Sequence, residues 1–160
     1  MPISKSIICT IIARNYLAQA RTLMRSIQTF HPDVHKVVLV VDPIEQYFDP
    51  RQESFEVIMG QELRIPNWPH FAMKYNVLEL CTAVKPYLLK YLFEKYDAEK
   101  ILYLDPDIVV YHPLDTLLEL LERCTAILTP HIVEPLTNSQ HPDEIDFLRL
   151  GTFTQPLIAC

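Results

Sequence analysis

Two unbroken apolar runs, residues 7–13 and 37–41, bracket an amphipathic stretch, and that spacing leaves few folds open. Both runs are rich in Ile and Val. A run that is apolar at every position, not at every second one, predicts a strand covered on both faces. Between them Ala20, Leu23, Met24, Ile27 and Phe30 recur at helical spacing, so residues 17–30 read as a helix with one apolar stripe. The pair His31-Pro32 ends it, because a residue before proline avoids the helical region. Strand, helix and strand in so short a span make a parallel unit with a right-handed crossover.

The later segments continue the alternation. A strand is expected at residues 55–58, a helix from about His70 to Leu80, and a second helix from near Thr82 with Pro86 in its opening turn. Residues 101–104 form a further strand, Asp115 caps a short helix, and residues 126–128 and 157–159 add two more strands. Residues 130–146 read as a loop, closing in a short helix near Asp143 to Leu148. The fold class is therefore α/β: an open, mostly parallel Rossmann-like sheet with helices on both faces, formed by residues 1–160 as one unit. Ligands in such sheets lie beyond the carboxyl ends of the strands. The polar groups at those ends are Arg14, Asn15 and Tyr16, then Asp42, then Asp105 and Asp107.

Composition removes several alternatives. The chain has two glycines, so neither the glycine-rich dinucleotide loop nor the phosphate-binding P-loop can be written with it. With 14 Lys and Arg against 20 Asp and Glu, the net charge of −6 argues against nucleic-acid binding. The four cysteines have no zinc-type spacing; Cys9 in a strand-like run and Cys81 in a helix-like one read as buried free thiols, which suggests a reducing compartment. No apolar run is long enough to span a membrane, which points to a cytoplasmic protein with peripheral membrane contact left open.

Asp105 and Asp107 flank a proline directly after an apolar strand. Alternation along a strand would point both carboxylates to one side, and Pro106 stiffens the pair. Two anions held so close call for a cation between them, and a hard divalent ion with positions left for phosphate oxygens suits the donor set.

The segment Ile101-Leu102-Tyr103-Leu104-Asp105-Pro106-Asp107-Ile108-Val109-Val110 resembles the DxD segment of GT-A fold glycosyltransferases, particularly the family 8-like enzymes. The run from Thr82 to Leu89 is similar to the helix that precedes it in that group. Residues 7–13 with Asn15 and Tyr16 resemble its first strand and helix, and Gly151-Thr152-Phe153 its acceptor-side strand. The resemblance covers the whole chain but only the amino-terminal part of the family's catalytic domain, so the unit is expected to be incomplete at its C-terminal end. It implies a transferase that moves a sugar from a nucleotide sugar, a UDP sugar first, to a carbohydrate, lipid or protein acceptor. Asp105 and Asp107 would hold Mn²⁺ or Mg²⁺ on the diphosphate. Asn15 and Tyr16 would meet the base and ribose, Lys85 the sugar or phosphate, and Asp42 the base. The family's third metal ligand is a histidine further on than Cys160, and Thr154-Gln155-Pro156 stands where the family has Asn-x-Gly.

Plainer readings stand beside these. Tyr16 would pack at a helix start, Lys85 would be solvated, and Asp42 would form a turn before Pro43. A strand followed by Asp-x-Asp also fits a haloacid-dehalogenase-like phosphatase, with Asp105 as nucleophile and Asp107 as acid and base. That motif opens its own fold, and no lysine follows Lys100 to complete it. A non-catalytic nucleotide-binding fragment is the remaining alternative.

Overall fold

The computed structural model describes residues 5–43, 48–134, 145–146 and 153–159. Strand β1 (Ser6–Ile12) leads through a 3-10 turn (Arg14–Tyr16) into helix α1 (Leu17–Phe30), and β2 (His35–Val40) and β3 (Glu56–Met59) follow. Helices α2 (Trp68–Ala72), α3 (Val77–Ala83) and α4 (Lys85–Tyr96) precede β4 (Lys100–Tyr103). Helix α5 (Asp115–Leu120), β5 (Ala126–Pro130) and β6 (Phe153–Ala159) complete the described elements.

The six strands form one sheet in the order β3-β2-β1-β4-β6-β5. Strands β3, β2, β1 and β4 are mutually parallel, and β6 lies antiparallel between β4 and β5. The sheet is therefore open and mostly parallel, as expected.

Alternation along β1 explains why its sequence shows none. Ile7, Cys9 and Ile11 face a core with Leu80 of α3, Leu88 and Leu92 of α4, and Val84 between the two helices. Ile8 and Ile12 face the opposite core with Ala20, Leu23, Met24 and Ile27 of α1. Each face of the central strand is covered by helix, so apart from Thr10 every position from Ile7 to Ile12 is apolar. The α1 stripe is the one expected, and Leu114, Leu117, Leu118 and Leu121 pack into the same core.

Two expected elements differ. The helix expected over His70 to Leu80 is two helices, α2 and α3. Asn76 caps the second: its side chain accepts from the Glu79 amide at 3.0 Å, and the Glu79 carboxylate accepts from the Asn76 amide at 3.0 Å. This reciprocal cap starts a new helix where the apolar pattern alone runs on. Asp115 is not the cap of α5 but its first residue, after Leu114. Of the helix expected near Asp143 to Leu148, only residues 145–146 are among those described.

Candidate functional site

From β1 the chain runs outward through β2 to β3, then returns to place β4 on the other side of β1. Crossovers therefore leave β1 and β4 in opposite directions, and a crevice opens between their carboxyl ends. The strands stay zipped to that rim, where the Leu104 amide donates to the Cys9 carbonyl at 3.0 Å. Asp105 is the next residue.

A cleft of about 770 Å³ lies there, within the size of small-molecule sites. Asn15 and Tyr16 line it from the end of β1, and Tyr103, Asp105, Pro106 and Asp107 from the end of β4. Helices α3 and α4 contribute Val77, Leu78, Cys81, Thr82 and Lys85, and His131 comes from beyond β5. Five of the six sequence-derived site residues thus meet in one cleft.

Asp105 and Asp107 reach it by a different backbone route from the one expected. The segment is a turn and not a pleated strand: the Ile108 amide donates to the Asp105 carbonyl at 3.1 Å. Pro106 occupies the second position of that turn, where its fixed φ is favoured. The turn is anchored downstream onto α1. The Val110 amide donates to Ser26 Oγ at 3.0 Å, and the Leu114 amide donates to His31 Nε2 at 2.7 Å.

Asp42 is the sixth residue, and it is not among those lining the cleft. Its Oδ1 accepts from the Arg14 backbone amide at 2.8 Å, and its Oδ2 lies 3.6 Å from Arg14 Nε. The carboxylate thus holds the turn that carries Asn15 and Tyr16, through a contact between the ends of β1 and β2. Tyr16 is 43% exposed at the edge of the cleft, whereas a packed staple would be buried.

Lys85 departs furthest from a solvated surface lysine. It is 8% exposed, in the first turn of α4, with its ammonium 3.9 Å from the centroid of the Tyr103 ring. Burial lowers its pKa, opposed by the charge of Asp105. Tyr103 is buried, and burial together with the charge of Asp105 pushes its hydroxyl far above the ordinary tyrosine range. Cys81 is pushed up to about 11, mainly by burial, which disfavours its thiolate.

The donor set suits part of a hard-cation site. Asp105 and Asp107 line a cleft large enough for a cation with further oxygen ligands. Among the described residues no cluster of three His, Cys, Asp or Glu side chains completes a site. Tyr103, Ser26 and His31 were not legible as site residues, because strand core, helix interior and a His-Pro pair all have commoner explanations.

No protein-family model and no curated protein sequence matches the chain. Solved structures do match, and the sheet order with its cleft defines an α/β fold of the GT-A type. One such structure is the galactosyltransferase LgtC in complex with donor and acceptor sugar analogues, with a TM-score of 0.52 at 17% identity. An active-site mutant of LgtC gives 0.53 at 17% identity. Both matches cover 95% of this chain and 56% of LgtC, so the chain spans little more than half of that protein. The apo-form glycosyltransferase GlyE of Streptococcus pneumoniae is 17% identical, with a TM-score of 0.48 and 33% of its length covered. No helix among the described residues is long and apolar enough to cross a membrane.

Proposed function

We propose that the cleft binds the nucleoside diphosphate part of a nucleotide sugar, with a UDP sugar as the donor, and that the chain is the donor-binding part of a glycosyltransferase. The observation that carries this is the meeting of Asp105, Asp107 and Lys85 in one cleft at the switch point of the sheet. An acidic pair beside a buried cation is a poor site for a simple anion or a simple cation. It suits a ligand that brings both, a metal-bound diphosphate.

Asp105 and Asp107 would hold Mn²⁺ or Mg²⁺, which when bound neutralises charge on the departing diphosphate. Lys85 supplies a fixed positive charge on the cleft wall. Because it is desolvated, its field there is strong. Asn15 and the Tyr16 ring face the base and ribose, and Asp42 acts on them indirectly by fixing their turn. The acceptor would be a carbohydrate, lipid or protein hydroxyl.

The test is a thermal-shift measurement on the chain with UDP and Mn²⁺ together. Ligand at a hundredfold excess over Kd contributes about 2.7 kcal/mol. For a chain of this size that raises Tm by roughly 5–10 °C. Asp107→Ala is expected to abolish the shift that requires the metal. A mutant that keeps the full shift overturns the metal role of the acidic pair.

A further inference from the structure

Residues 73–79 are exposed without a break, from the end of α2 into α3, and four of the seven are large and apolar. Met73 is 87% exposed and Leu78 79%, with Tyr75 and Val77 beside them. The ring of Phe71 lies 5.3 Å from that of Tyr75 and 5.6 Å from that of Tyr87 in α4, which is exposed as well, so the two tyrosines belong to one patch. A contiguous apolar patch of this kind marks an interaction surface. The charge around it indicates the partner. Between Glu62 and Glu94 the chain carries Arg64, Lys74, Lys85 and Lys90 against Glu79 alone, although its net charge is −6. Lys74 stands inside the exposed stretch, and Lys90 lies one turn on from Tyr87, 3.7 Å from Glu94. The Glu79 carboxylate is engaged by the Asn76 amide at 3.0 Å. The local excess is therefore positive in an acidic protein. Two copies facing through this patch would set like charges against each other. An anionic surface would not. Tyrosines, lysine and protruding Met and Leu side by side suit a lipid interface, where aromatic rings sit among headgroups and cations meet anionic lipid.

We infer that residues 73–78 and Tyr87 dock this protein on an anionic membrane surface. Met73 and Leu78 enter the boundary between headgroups and acyl chains, Tyr75 and Tyr87 lie at headgroup level, and Lys74 meets lipid phosphate. Val77 and Leu78 also line the cleft, so docking brings its mouth to the bilayer and an acceptor borne on a lipid within reach. That consequence for the acceptor rests on the donor-site reading above; the docking itself does not.

The full chain is co-sedimented with vesicles of phosphatidylcholine mixed with phosphatidylglycerol, and with vesicles of phosphatidylcholine alone. Wild type is expected to bind the mixed vesicles more tightly, and added salt to weaken that binding. Met73 and Lys74 are exposed and lie outside the cleft lining, so substitution there leaves folding stability nearly unchanged. Met73→Ser is expected to weaken binding to both kinds of vesicle about tenfold, the scale of one buried apolar side chain. Lys74→Gln is expected to weaken binding to the mixed vesicles about fivefold and to leave phosphatidylcholine alone unaffected. Lys5→Gln makes the same change of charge ahead of β1, at the opposite end of the sheet from the cleft, and is expected to match wild type. No binding to mixed vesicles, binding that Met73→Ser leaves unaltered, or equal losses in Lys74→Gln and Lys5→Gln overturns the inference. So does a lipid-free dimer in analytical ultracentrifugation that Met73→Ser dissociates, because the patch is then an interface between copies. Vesicle binding by a chain that binds no UDP with Mn²⁺ removes the donor reading and leaves the docking surface standing.

Discussion

Thr10 lies between the two apolar faces of β1 with its side chain fully buried, and its Oγ1 has no hydrogen-bond partner among the described residues. An unsatisfied buried hydroxyl costs about 1–3 kcal/mol, and valine has the same shape without the polar atom. Thr10→Val is therefore expected to stabilise the fold by about 1 kcal/mol. A urea titration reads this as a higher midpoint at unchanged slope. A lower midpoint would mean that the hydroxyl has a use. The same scale shows what a sequence reveals about a site. The place of Asp105 and Asp107 at the cleft was legible because its signal is local: a strand, a proline and two acids within a few residues. Asp42 was legible as polar but not in its role, because its partner Arg14 lies 28 residues away. His31 was hidden more deeply, since its acceptor role appears only when a backbone amide 83 residues on is folded against it. Tyr103 reads as strand core, and it is strand core. Its contact with Lys85 depends on α4 laying a lysine across its ring.

At the scale of elements, periodicity located β1, α1, β2 and β4 to within a residue or two, because each buries a continuous face. It failed where two helices share one apolar pattern. The break between α2 and α3 was nonetheless written in the sequence, as Asn76 followed three residues later by Glu79. That signature was outweighed by the apolar residues on either side of it. The break matters, because it tilts a fresh helix over the cleft and brings Val77, Leu78, Cys81 and Thr82 to its wall. Asn76→Ala removes the acceptor for the Glu79 amide and is expected to cost about 1 kcal/mol. The loss should be visible first in α3, as faster hydrogen exchange of its opening amides than of those in β1. Uniform acceleration across the chain, or none, would show that the cap does not delimit this helix. The turn at Asp105–Ile108 carries the same lesson in reverse: a pleated strand was foreseen there, and a turn brings both residues to the cleft.

The whole molecule has two unlike ends. The carboxyl ends of the strands open into the cleft, while the amino ends of β2 and β3 are tied shut by one carboxylate. Glu56 accepts from Lys95 Nζ at 3.0 Å and from the Tyr96 hydroxyl, and its other oxygen lies 2.9 Å from His35 Nε2. The His35 and Tyr96 rings meet edge to face at 4.7 Å. These contacts fasten the end of α4 to the edge of the sheet, and so steady from below the helix whose first turn carries Lys85. Nothing in the linear sequence joins these residues, just as nothing in it says that β6 enters antiparallel between β4 and β5. Both follow from how the whole chain closes. Burial opposes the charge on Glu56, but hydrogen bonds from Tyr96, Lys95 and His35 outweigh it and hold the carboxyl below its ordinary value of 4.5. Burial and Glu56 push the Tyr96 hydroxyl up to about 12, so it remains a donor throughout the physiological range. A carboxyl whose folded pKa is depressed contributes stability that is fully present above its unfolded pKa and is lost as the pH falls through the folded one. The side chain is partly exposed, so solvent screening limits the contribution to about 1 kcal/mol. Glu56→Gln keeps the shape and discards the charge. Wild type is therefore expected to exceed Glu56→Gln in unfolding free energy at pH 7 by about that amount. The gap should begin to narrow below pH 4.5 and close on further acidification as Glu56 itself becomes neutral. Denaturant titrations of the two proteins across this range decide it. A gap that stays constant with pH would show that shape holds this end together, and not the charge of Glu56.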